Sequence, residues 1–172
     1  MRLALGLAMS LLALSAANAD PLAESHAGKV QCHRPDTVRK TCGALSSYTM
    51  EPGGVTTNKA EVLLSSQQIL TMTTVTPVVL KGEAICGQVR ARDLQTAEIH
   101  LNGAILPEEQ AKGLRTQLVQ HFGELIGKEI CTTYVSVGDK LSTQVTVDGV
   151  AKPAYSQTVI WVMPEDGYKV SP

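Results

Sequence analysis

The chain has 172 residues, with 15 basic residues set against 16 acidic ones and a net charge of −1. That is the length of one ordinary domain, and 44% hydrophobic residues are enough to bury a core. A near-neutral chain without a Lys/Arg cluster excludes the electrostatic footprint of a nucleic-acid binder or of a protein held on an anionic membrane surface.

The chain opens with Met1-Arg2, an apolar run over residues 3–14, and Ser15-Ala16-Ala17-Asn18-Ala19 ahead of Asp20. A short basic head, a hydrophobic stretch and a small-x-small site form the pattern of a secretory signal peptide. The run is too short for a membrane span, which takes about 20 residues, and no later segment is apolar enough. Cleavage between Ala19 and Asp20 is expected, with export to a periplasm or beyond. The expected organisation is a leader over 1–19, a flexible N-terminus over 20–31, and a single domain over 32–172.

A short helix is expected after Pro35, with Asp36 as its N-cap and with Val38, Cys42 and Leu45 on one face. Residues 46–89, rich in Thr and Val, read as strands: 60–65, 69–75, 78–80 and 83–89, interrupted by Pro52-Gly53-Gly54, Ser65-Ser66-Gln67-Gln68 and Pro77. Asn102-Gly103 is a type I′ hairpin signal. The spacing then predicts a long amphipathic helix over 107–127, led by Pro107, Glu108 and Glu109. Its apolar stripe is Ala111, Leu114, Leu118, Phe122, Leu125 and Ile126. Three strands close the chain, over 129–137, 141–147 and 157–163, with Asp148-Gly149 as a further turn. The expected fold class is α+β: a twisted antiparallel sheet packed by the long helix, plus the short N-terminal helix and two disulfides.

The four cysteines, Cys32, Cys42, Cys86 and Cys131, are an even set in a chain expected to reach an oxidising compartment, and they read as disulfides. Three pairings are open; Cys32–Cys42 and Cys86–Cys131 are favoured, a local clip and a tie between distant strands. A metal site is disfavoured, because no Cys-x-x-Cys or paired-His spacing is present.

The chain has no nucleophile elbow, zinc motif, dinucleotide fingerprint or phosphate loop. His26, His33, His100 and His121 fall in four different expected elements. His33 reads as an exposed loop residue and His121 as a boundary residue of the helix stripe; these two are the candidates if the protein is an atypical hydrolase. Tyr155, Trp161 and Tyr168, near the C-terminus, are the candidate binding patch, although Trp161 also reads as core. No cofactor is implied. The expectation is an exported protein that acts by binding an unidentified protein, peptide or small ligand, with an envelope-associated structural module as a further alternative.

Overall fold

A computed structural model describes residues 20–172; the expected leader over 1–19 lies outside the described residues. After the short helix α1 (Ala23–His26) come β1 (Val30–His33), β2 (Thr41–Cys42), β3 (Ala44–Met50), β4 (Thr56–Ser65), β5 (Leu70–Lys81) and β6 (Ala84–Gln88). An excursion follows: α2 (Ala91–Gln95), β7 (Glu98–Leu101), β8 (Ala104–Ile105), α3 (Glu108–His121) and a 3-10 turn at Gly123–Leu125. Then come β9 (Glu129–Val137), β10 (Lys140–Val147), β11 (Val150–Ala151), β12 (Thr158–Val162) and β13 (Lys169–Val170).

Eight of these strands, β1, β3, β4, β5, β6, β9, β10 and β12, pair antiparallel in that order, and β12 returns to pair with β1. The result is a closed up-and-down barrel, sealed where Val30 meets Val162 and Gln31 meets Trp161. This overturns the expected α+β fold, a twisted antiparallel sheet packed by one long helix. A sheet with one apolar face must cover it, and here it does so by curling around its own interior. Strand alternation is the same in either case, so the pattern that suggested an open sheet is also the pattern of a barrel wall. In β10, for example, Thr143, Val145 and Val147 are buried while Gln144 is exposed.

The helix expected after Pro35 is absent. Asp36 does cap, accepting from the backbone N–H groups of Val38 at 3.0 Å and Arg39 at 2.9 Å, but the chain reverses immediately. Lys40 takes a left-handed conformation, φ 52°, and Thr41 bridges back to Asp36. Val38, placed on the expected apolar face, is 92% exposed. The capping interaction is common to helix starts and Asx turns, and here the turn wins because Cys42 is drawn back to Cys32.

The helix expected over 107–127 forms as α3, which ends at His121, and only Ala111 in it is fully buried. It does not lie across the barrel wall. Leu114, Leu118, Val119 and Phe122 instead pack on a small cluster built from Met72, Leu94, Ala97 and Ile99, at the end of the barrel where α2 leaves β6. Pro77, expected to divide two strands, sits inside the continuous β5. Beyond β4, this strand pairs with β7 only at Leu70–Thr73 and with β6 only from Val78 onward. Pro77 therefore lies in the gap, where the N–H it lacks costs no ladder bond.

A second cluster lies outside the barrel. Cys32, Cys42 and Val162 pack with Val30, Leu45, Ile160 and Tyr168, under the parallel pair β13–β2. This strap explains why β12 is apolar on both faces. At the opposite edge of the chain, residues 20–31, expected as a flexible N-terminus, hold α1 and the first residues of β1, and Leu22 there is 2% exposed.

Candidate functional site: a cavity with a polar floor inside the barrel

Register decides which side chains face inward. Gln31 is fully buried and pairs with Ser46 and Trp161; Tyr48, two residues beyond Ser46, pairs with Asn58, and Asn58 with Thr76. On the far wall Ile85 pairs with Thr132 and Gly87 with Ile130. Of these, Tyr48, Asn58, Thr76 and the far-wall residues line a cavity of about 300 Å³ between the barrel walls and the α2 cap. At ~30 Å³ per water, that is room for roughly ten waters or one small organic molecule.

Its walls are apolar, with Met72, Val78, Ile85, Leu94 and Ile130 among them. Its floor is polar. The hydroxyls of Tyr48 and Tyr134 each donate to Gln31 Oε1, both at 3.0 Å. Gln31 itself lies behind the tyrosines, outside the cavity lining, and its buried Nε2 finds no acceptor among the described residues. An orphaned buried donor costs about 1–3 kcal/mol, so this is an arrangement that a fold keeps only at a cost. Burial pushes both phenols to higher pKa, Tyr48 most strongly, so both stay protonated at any physiological pH.

The cap is tied to the wall by one carboxylate. Asp93 Oδ2 accepts from Thr76 Oγ1 at 3.1 Å and from Arg90 Nε at 2.8 Å. Arg90 and Asp93 are the only charged side chains lining the cavity among the described residues, and they neutralise each other. Gly127 N–H donates to Val89 O and Val89 N–H to Lys128 O, which fixes the base of the cap to the start of β9.

The residues singled out by sequence are dispersed. Tyr155 is exposed in the 3-10 turn Pro153–Tyr155 and Trp161 is in the barrel wall beside Gln31. Tyr168 packs on the outer cluster under the strap, so the three form no common patch. His121 is exposed at the end of α3, edge-on to Phe122. His26 meets Asp20 at 3.1 Å near the N-terminus, and His100 meets Glu98 at 3.1 Å on the outer wall. His33 is not a loop residue: it ends β1 with its ring turned inward. Burial first, and then the Arg34 charge, lower its pKa to about 4. Among the described residues its Nδ1 meets no hydrogen-bond partner, so no carboxylate or hydroxyl primes it as a base.

The disulfides join Cys32 to Cys42 and Cys86 to Cys131. Glu129 lies beside the second pair, and the three side chains are close enough for a metal, but each sulfur is bonded to the other and offers no thiolate. The bridge ties β6 to β9 at directly opposed residues, next to Gly87 and Thr132 on the cavity wall. Two disulfides are compatible with an exported, oxidising compartment. No helix of the described residues is long and apolar enough to cross a membrane. The floor tyrosines and the Gln31 behind them escape sequence reasoning because the three are spaced far apart and belong to no motif. Only the register of a closed barrel brings them together.

No protein-family model, curated protein or solved structure matches this chain.

Proposed function

We propose that this is an exported binding protein that carries one small molecule inside its barrel. The observation behind the reading is the cavity of about 300 Å³, with apolar walls and the hydroxyl-bearing side chains of Tyr48 and Tyr134 in its lining. An eight-stranded barrel has an interior just wide enough to be filled by side chains or to hold one small ligand. Here the inward positions include small or short residues, Gly87, Thr74, Thr76 and Thr132, which leave the space open. Apolar walls supply affinity and a few placed polar groups supply orientation, as ligand pockets generally do. Export is supported by the leader pattern and by the two disulfides.

The test uses the mature chain and 2-naphthol, a bicycle with one hydroxyl. Titration followed by amide NMR should move resonances of Thr74, Ile85, Thr132 and Tyr134. The cavity-filling variant Thr132→Phe, checked for an unchanged fold by circular dichroism, should lose that response. Shifts confined to the outer wall, or the same response in the filled variant, would overturn the reading. Cell fractionation with N-terminal sequencing tests export: a periplasmic or secreted product starting at Asp20 supports it, and a cytoplasmic product retaining Met1 refutes it.

A further inference from the structure

We propose that the cavity takes a small amphiphilic anion, an apolar ring or chain with one carboxylate, and that the carboxylate sits on Arg90 where the cavity meets a break in the barrel wall. The inference rests on the cavity being the ligand site and adds the charge of the ligand and the place of its head. β5 pairs with β7 as far as Thr73 opposite Glu98, and with β6 only from Val78 opposite Gly87. Residues 74–77 therefore lack a neighbouring strand on that side. An outer groove with Met50, Val55, Pro77, Val79 and Leu80 in its lining adjoins the cavity here, and Val78, Gly87, Gln88 and Arg90 line both. Gly87 keeps the junction clear: a Cβ on it would stand 3.3 Å from Val78 Cγ1 and 3.6 Å from Pro77 O.

Arg90 is the residue at this junction with donors to spare. Its Nε–H goes to Asp93 Oδ2 at 2.8 Å, which holds the guanidinium plane, while its two terminal NH₂ groups meet no acceptor among the described residues. That free edge fits a carboxylate through two parallel N–H···O bonds. The side chain is 23% exposed, so a head bound there keeps part of its water and escapes the full cost of burying a charge. The local charge favours an anion. Asp93 faces a second guanidinium, Arg92 at 3.7 Å, and Glu129 on the groove is taken up by Lys81 at 2.6 Å, so three cations meet two carboxylates. The phenols make no rival seat, because Tyr48 and Tyr134 are satisfied by Gln31 and by each other. Met72, Ile85, Leu94 and Ile130 are left to hold the apolar body.

Three probes of one shape, 2-naphthoate, neutral 2-naphthol and cationic 2-naphthylmethylammonium, separate the possibilities by calorimetry on the mature protein at neutral pH. The expected result is that 2-naphthoate binds at least about tenfold tighter than either of the others. Raising the ionic strength should weaken naphthoate and leave naphthol unchanged. In amide NMR, naphthoate should move Gln88 and Arg90 together with Ile85 and Thr132. In Arg90→Met the preference should vanish while naphthol still binds, and Arg90→Lys should restore it only in part, since an ammonium lacks the planar fork. If Arg90→Met does not fold, the wild-type ranking and its salt dependence decide by themselves. Naphthol binding as tightly as naphthoate overturns this inference and leaves the cavity a site for neutral ligands. Tightest binding by the ammonium overturns it in favour of a cation site on Asp93. A preference that survives Arg90→Met, or naphthoate shifts confined to the outer wall, overturns the proposed seat. Failure of all three to bind overturns both this inference and the binding function.

Discussion

His33 shows how a single side chain sets a condition on the whole fold. In the unfolded chain an ordinary histidine protonates near pH 6.5, whereas here burial holds the ring neutral down to about pH 4. Below pH 6.5 the unfolded state binds a proton that the folded state refuses, so stability is full above that pH. It declines as the pH falls toward 4, where the folded form begins to titrate as well. Between pH 7 and pH 4.5 this one group should remove ~2 kcal/mol. Urea unfolding at both values will show it, and His33→Leu should flatten the difference; an unchanged slope in the variant would assign the pH dependence elsewhere. Asp93 makes a second prediction at this scale. Asp93→Ala leaves Thr76 and Arg90 without their shared acceptor and should cost about 1–3 kcal/mol. Hydrogen exchange should rise across Ala91–Ala97 while the amides of β10 stay protected.

Elements whose geometry is set by neighbouring residues could be read from the sequence. Asn102-Gly103 and Asp148-Gly149 both adopt positive φ, 52° and 83° in the first and 48° and 78° in the second, and each turns a hairpin. Strands 129–137 and 141–147 were likewise visible from Thr, Val and alternation. Residues 35–45 were not, because a cap and a three-residue spacing describe a turn closed by Cys32–Cys42 as well as they describe a helix. The candidate site was invisible for a related reason: its polar groups come from β3, β5 and β9, brought together only by pairings between strands distant in sequence. The disulfides belong to this scale too. The bridge across 45 residues removes more unfolded-state freedom than the one across 10. In the chain-entropy treatment the two are worth about 4 and 3 kcal/mol respectively. Replacing both cysteines of a pair with Ala should therefore lower the denaturation midpoint more for Cys86/Cys131 than for Cys32/Cys42. The reverse order would mean that the outer cluster, rather than chain entropy, dominates.

For the molecule as a whole, closure is the feature that composition could not announce. An open sheet and a barrel share their strands, their alternation and their turns; they differ in one seam, here β1 against β12. Closure removes the long free edges that would otherwise template association between copies of a β-rich chain. The C-terminal strap sits outside this seam. Ending the chain after Met163 should expose the Cys32–Cys42 cluster and lower the melting temperature while retaining the barrel amides in exchange experiments. Loss of all protected amides would show that the strap is required for closure itself. The seam also sets the protein's optical behaviour. The single tryptophan of the chain, Trp161, stands opposite Gln31 on the neighbouring strand. Its emission therefore originates at the seam itself, uncontaminated by any other indole. Any shift of β12 against β1 should change the colour or yield of that light without an added label.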